Sequence, residues 1–185
     1  MSLILASASP RRRELLSLIT ADFTVIPAKG EETADKALPP RLLVQELAKQ
    51  KAAEVAAAHP RDTVIGADTL VFCGAEIMGK PTDTNHAKRM LTLLSGNTHT
   101  VITAVAIAQN GAVTKVFAEE TKVEFFPLTE EEIAAYIATG EPMDKAGAYG
   151  IQDKGALLVK GITGDYYNVM GLPVGKLYRE LKTLQ

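Results

Sequence analysis

TVIGADTLVF, residues 63–72, reads as a buried strand interrupted by a single charge. Its valine, isoleucine, leucine and phenylalanine have the bias of a sheet interior. Asp68 breaks the run. A carboxylate in such a strand is costly unless it is hydrogen-bonded, paired with a cation or bound to a metal. One reading ends the strand at Ala67 and makes Asp68 a turn residue. Val71 and Phe72 continue the apolar run, which favours a strand that carries Asp68 onward, as a metal ligand or general base at the mouth of a sheet.

Upstream, residues 40–58 predict a long helix with the apolar stripe Val44, Leu47, Ala48, Ala52 and Val55. Lys51 takes the next slot on that stripe, whereas Lys49 lies off it. Two readings fit Lys51 equally: a snorkelling side chain with its amine in water, or an amine held toward an anion at the edge of the core. Residues 3–6 predict a short strand and 10–19 a helix, with Ser9 as N-cap and Pro10 at the first helical position. Arg11, Arg12 and Arg13 then fall in the first turn, where the helix dipole penalises each cation by about 0.3–1 kcal/mol. A bound anion there would remove the penalty. Residues 23–27 predict a second strand, and the polar segment 29–39 carries Glu31 and Glu32.

Downstream, GAE at 74–76 suggests a turn. Thr82 can cap a helix bearing Ala87, Met90, Leu91 and Leu94, which Gly96 stops. Residues 99–108 and 113–126 predict strands joined at Asn110-Gly111, a type I′ hairpin signal. TEEE opens a helix over 128–138, residues 144–155 read as a glycine-rich loop, and 156–159 as a short strand. Val174, Leu177, Tyr178 and Leu181 mark a final helix. Helices mixed with strands, plus one antiparallel hairpin, predict an α/β fold with a mixed twisted sheet flanked by helices. No repeat, low-complexity tract or linker divides the chain, so residues 1–185 read as one domain.

Composition narrows the function. A net charge of −2, no tryptophan, and only five tyrosines and five phenylalanines argue against a nucleic-acid platform. The lone Cys73 rules out an intrachain disulfide and fits a reducing compartment. The apolar run at the N-terminus is short for a signal peptide, and no stretch approaches a membrane span, so the expected location is the cytoplasm. The polar residues make a pattern: cations at Arg11, Arg12, Lys51 and Lys80, a helix N-terminus, and carboxylates at Glu31, Glu32 and Asp68. That set suits a polyphosphate with a divalent metal. The P-loop pattern GxxxxGK[ST] is absent. MDKAGAYGIQ, residues 143–152, adds Lys145 and Gln152 around Gly147 and Gly150, which allow close backbone approach or positive φ.

The blocks LASASPRRRELL, LAKQKA, VIGADT, GKP, LSGNTHTVITAVA, EPMDKAGAYGIQ and GLP follow one another as in the Maf family, which the chain resembles from residue 3 to about 180. The resemblance implies an inosine-triphosphatase-like (Maf/Ham1-type) α/β fold and a nucleoside triphosphate pyrophosphatase. Such an enzyme releases a monophosphate and pyrophosphate with the aid of a divalent cation, Mg2+ or Mn2+. It implies that Asp68 is the proton acceptor, that Lys51 and Lys80 face phosphate, and that Glu31 or Glu32 is catalytic and metal-binding with Asp68. The register between the two glutamates stays open, with Glu32 favoured. Ser7, Arg12 and Lys145 fall among the substrate-binding positions, and Arg11, Thr69 and Gln152 among those tied to base choice. GADT and AYGIQ resemble the dTTP/UTP branch rather than the 7-methyl-GTP branch. One departure is Asp153, where relatives tend to carry glycine. The family further implies a homodimer acting on free nucleotides. The alternative is a non-catalytic nucleotide-binding regulator of cell division.

Overall fold

The structure, a computed structural model, describes residues 2–31 and 33–184. Strand β1 (Leu3–Leu5), helix α1 (Pro10–Ser17), strand β2 (Thr24–Val25), helix α2 (Pro40–Ala58) and strand β3 (Thr63–Cys73) come first. Then follow β4 (Glu76–Met78), α3 (Thr84–Leu94), β5 (Thr98–Gln109), β6 (Ala112–Phe125) and α4 (Glu130–Ala138). Three short 3-10 turns (Glu141–Asp144, Ala146–Ala148, Asp153–Leu158) precede β7 (Val159–Thr163), α5 (Tyr166–Met170) and α6 (Val174–Lys182). The strands form one mixed sheet in the order β2-β1-β3-β5-β6-β7, with β4 also paired to β3. β1 is parallel to β2 and to β3, while β4 is antiparallel to β3 and β7 to β6. The mixed α/β sheet anticipated from the pattern is therefore present.

The chain forms two compact units, one of residues 1–68, 103–119 and 171–185, the other of 69–102 and 120–170. In the first unit, Leu3, Ile4 and Leu5 of β1 pair with Thr63, Val64 and Ile65 of β3. Helix α1 starts where Ser9 accepts the backbone N–H of Arg12, and it buries Leu15 and Leu16. Helix α2 buries the stripe read from the sequence, with Leu43 and Ala56 in addition. Its small residues Ala48 and Ala52 let it come very close to β3. A Cβ placed on Gly66 would lie 2.6 Å from the Ala48 carbonyl oxygen, 2.6 Å from the Ala52 nitrogen and 2.9 Å from the Ala52 Cβ. Glycine is the one residue that fits there.

The second unit is built on Val71, Met78, Met90, Leu91, Leu94, Val101, Val123, Phe125, Ile133 and Tyr136. Its helices start with side-chain caps. Asp83 accepts the His86 N–H at 2.7 Å, and Thr129 and Glu132 make a reciprocal capping box. Back in the first unit, Asn110 and Gly111 have φ of 53° and 77°, as a type I′ turn requires.

Local details differ from the sequence reading. The α3 cap is Asp83 and not Thr82, because a carboxylate one residue later reaches the first-turn N–H groups. The turn expected at 74–76 is made by Gly74 and Ala75 and closes a hairpin, whose return strand β4 has no separate signal in the sequence. The second strand shrinks to two residues, and α1 ends at Ser17. Residues 153–158 form a 3-10 turn, so the strand expected at 156–159 starts only at Val159. Helix α5 gave no periodic signal, being only five residues long.

The close approach at Gly66 generates a stability prediction. The added methyl of Gly66→Ala meets helix backbone that cannot move aside, so it should destabilise the protein by at least about 1–3 kcal/mol in urea unfolding. Gly175→Ala on α6, whose Cβ meets nothing within 4 Å, should be neutral or stabilising.

A second prediction concerns His99, only 2% exposed. Burial pushes its pKa from 6.5 down to about 4. The unfolded chain therefore takes up a proton on this side chain at a pH where the folded chain does not. The contribution to stability is complete above pH 6.5 and is lost as the pH falls from there toward 4. The melting temperature should fall over that window in the wild type and fall less in His99→Phe.

Candidate active site

Gly66 and Asp68 are two residues apart in β3 and so share the face that meets α2. The helix places Lys51 on that face, and the Lys51 ammonium forms an ion pair and hydrogen bond with Oδ1 of Asp68. Asp68 is buried at 7% exposure, and Lys51 is half-buried. Of the two readings of Lys51, the amine held toward an anion is the one realised. Of those of Asp68, the strand continues through it to Cys73. A buried carboxylate with a compensating lysine can be retained in an apolar strand.

Arg12 is also fixed. Its Nε donates to the Gly171 carbonyl at 2.8 Å and its Nη1 to Ser7 Oγ at 3.3 Å. Ser7 Oγ accepts the Ser9 N–H at 3.3 Å as well. The start of α1 thus holds backbone donors and an oriented guanidinium together, a combination that suits an anion. Arg11 is partly buried and Arg13 exposed.

The acidic segment lies against α2, through contacts that the sequence did not announce. Glu54 accepts the Lys29 N–H at 2.7 Å and the Gly30 N–H at 3.0 Å, and Gln50 accepts the Thr33 N–H at 3.2 Å. The two backbone hydrogen bonds to Glu54 lower its pKa. Helix α2 therefore carries Lys51 and, on neighbouring turns, the side chains that hold Lys29, Gly30 and Thr33. Glu31 is exposed; Glu32 lies outside the described residues. Among the described residues, no three histidine, cysteine or acidic side chains are grouped to hold a metal by themselves.

The remaining candidates belong to the second unit. Thr69 follows Asp68 in β3 and is partly buried, and Lys80 is exposed just after β4. Lys145 donates to the Glu141 carbonyl at 2.7 Å and to Asp144 Oδ1 at 2.8 Å. Its side chain crosses Gly150, where a Cβ would meet Lys145 Cε at 2.8 Å. Gly147 donates its N–H to the Gly79 carbonyl at 3.0 Å, which ties the 144–155 segment to the turn carrying Lys80. Tyr136 OH accepts the Gly150 N–H at 3.1 Å. Gln152 is partly buried, and its neighbour Asp153 has φ of 53°. The left-handed backbone explains why glycine suits position 153, and aspartate is among the residues that tolerate it. The reading of single residues missed Tyr136, Glu54 and Gln50, which lie in ordinary helical patterns. It also passed over His99, a polar side chain inside an apolar strand like Asp68.

With this geometry in view, the comparisons are specific. The family model described as Maf-like protein matches residues 2–184. A dTTP/UTP pyrophosphatase from Bacillus cytotoxicus is 54% identical over 97% of this chain and 93% of its own length. One of the same name from Bacillus velezensis is 54% identical over 97% and 95%. The Staphylococcus aureus Ham1 structure aligns over the whole of both chains with a TM-score of 0.57 at 16% identity. A HAM1 protein from Coxiella burnetii aligns over 98% of each with a TM-score of 0.56 at 14% identity. The two structures share the fold. The protein is thus an α/β chain of the Ham1-like fold, and within that class it belongs to the Maf-like protein family.

The ion pair can be tested against its neighbour on the helix. Lys51→Met keeps the stripe apolar and should cut kcat/KM for a nucleoside triphosphate by at least about tenfold, as for loss of a charge-assisted contact. Lys49→Met, which removes an exposed partner of Glu46, should change it less than twofold. Equal effects at the two positions would sink the assignment.

Proposed function

We propose that this protein is a nucleoside triphosphate pyrophosphatase that hydrolyses dTTP and UTP to the monophosphate and pyrophosphate. The observation that carries the reading is the buried Asp68, held by Lys51 on the strand–helix contact at Gly66, in a chain of the Maf-like family. Relatives more than half identical over nearly all of the chain bear the name dTTP/UTP pyrophosphatase.

In this reading Asp68 orients a water molecule and accepts its proton as the oxygen attacks the α-phosphorus. The bond from that phosphorus to the bridging oxygen breaks, and pyrophosphate leaves. A positioned base of this kind contributes about 10²–10⁴-fold. Lys51 compensates the carboxylate before substrate arrives and then turns to phosphate. Arg12, already oriented by Ser7 and Gly171, and the N–H groups at the start of α1 take the phosphate chain, with Lys80 as a further cation. Mg2+ or Mn2+ would be held by Asp68 with Glu31 or Glu32. One or two carboxylates suffice for Mg2+, because the substrate's phosphates and water complete its shell. When bound, the cation offsets negative charge on the phosphates and the leaving group.

Base choice falls to Gln152, with Arg11 and Thr69, while Ser7 and Lys145 contribute to substrate binding. A side-chain amide donates and accepts at once, which matches the adjacent N–H and C=O of uracil or thymine. Cytosine reverses both positions on the N3–C4 edge, so an amide held in one orientation would tell the two bases apart. The enzyme works on free nucleotides as a cytoplasmic homodimer, for which light scattering on purified protein should give twice the 19.8 kDa chain mass. Among the described residues no helix is long and apolar enough to cross a membrane.

The deciding experiment measures pyrophosphate release from a panel of nucleotides. The wild type should prefer dTTP and UTP over CTP and GTP, lose activity in EDTA and regain it with Mg2+. Asp68→Asn should remove nearly all turnover, and should lower the melting temperature because the Lys51 ammonium loses its carboxylate partner. Gln152→Ala should narrow the UTP/CTP ratio more than it lowers turnover on every substrate. Near-normal activity of Asp68→Asn at saturating Mg2+ would overturn the role of the carboxylate, and equal rates on UTP, CTP and GTP would overturn the specificity.

A further inference from the structure

His99 presents a puzzle of polarity. It is 2% exposed and packs edge-on against Phe125 and Tyr149, with ring centroids 5.0 and 5.3 Å away. Phe125 and Tyr149 meet edge-on as well, at 4.7 Å. A phenylalanine would fill such an aromatic triangle. Yet the imidazole is there, and its Nδ1 is buried with no hydrogen-bond partner among the described residues. Leaving a buried polar atom unpaired is unfavourable. The other ring nitrogen, Nε2, is used: it forms a 2.7 Å hydrogen bond with the Tyr149 hydroxyl. Packing alone does not account for the pair, because two phenylalanines would pack without an unpaired nitrogen.

Tyr149 sits in the backbone that most needs an anchor. Gly147 and Ala148 before it have φ of 72° and 60°. Ala148 is fully buried in a conformation that non-glycine residues rarely adopt. Such a conformation persists only where the surroundings over-determine it. On one side of Tyr149 the Gly147 N–H is bound to Gly79, next to Lys80. On the other the Gly150 N–H is bound to the Tyr136 hydroxyl. Lys145 and Gln152 lie at the two ends of this short, doubly left-handed run.

We propose that the buried His99–Tyr149 hydrogen bond is a positioning device that fixes the 145–152 loop, and through it the placement of Lys145 and Gln152 toward the nucleotide. What the loop does rests on the pyrophosphatase reading; what holds the loop does not. His99 and Tyr149 are positioning residues, the first in the buried core and the second within the loop.

The test uses Tyr149→Phe, His99→Phe and the double variant in the full chain. Each single change leaves one buried partner unsatisfied and should lower the melting temperature. The double change removes both polar groups and should restore it. If the pair positions the loop, the double variant keeps a KM for UTP raised about three- to tenfold, the size of one lost hydrogen bond. Its kcat stays within about twofold and its UTP/CTP ratio is narrowed, although stability is regained. Amide hydrogen exchange over 145–152 in the nucleotide-free protein should be faster in all three variants, with the rest of the chain unchanged in the double. Recovery of KM and base preference together with stability in the double variant would overturn the proposal, as would unaltered exchange over 145–152. A wild type inactive on every nucleotide would overturn the pyrophosphatase reading alone, and the exchange comparison would then decide the positioning.

Discussion

The contact of α2 with β3 at Gly66 is the constraint on which the first unit depends. Helix backbone comes within 2.6 Å of where a Cβ would be, so the helix and the strand are set by backbone rather than by flexible side chains. Two consequences follow from one geometry. Lys51, one position from Ala52 on the helix, meets Asp68, two residues on from Gly66 in the strand. Glu54 and Gln50, on adjacent turns, meet the backbone of Lys29, Gly30 and Thr33. A single close approach thus arranges a carboxylate, its cation and the acidic segment.

The second unit solves a different problem by different means. Its candidate side chains Lys145 and Gln152 sit on a segment of 3-10 turns with left-handed residues at 147, 148 and 153, and such a segment has no helical or ladder register to hold it. Hydrogen bonds from outside the segment replace that register: Gly79 to Gly147, Tyr136 to Gly150, His99 to Tyr149. Two of those three anchors come from aromatic side chains in the buried core. Burial pushes the Tyr136 pKa up to about 12 and that of Tyr149 higher still, so both hydroxyls keep their protons at neutral pH.

Local signals made much of the fold legible. The buried stripe of α2, the Asn110-Gly111 hairpin and the Ser9-Pro10 start of α1 each follow from one short stretch. Elements too short for a period, such as β4 and α5, had no such signal. The strand expected at 156–159 failed because an apolar run of that length fits a 3-10 turn equally well.

What the sequence determined by itself is the chemistry: a carboxylate inside an apolar strand, a lysine on an apolar stripe, arginines at a helix start. Each was visible as a polar group where packing prefers none, because the cost of burying charge is a local property of the residue and its pattern. Only the tertiary structure decided which of these groups meet. Nothing in residues 40–58 says that the Lys51 ammonium meets Asp68, seventeen positions on, rather than open water. Nothing around His99 names Tyr149, fifty positions away. Partners at that separation are chosen by how α2 packs on the sheet and by how residues 144–155 fold over their core. Those are distances set by backbone approach in three dimensions, and no periodicity along the chain encodes them.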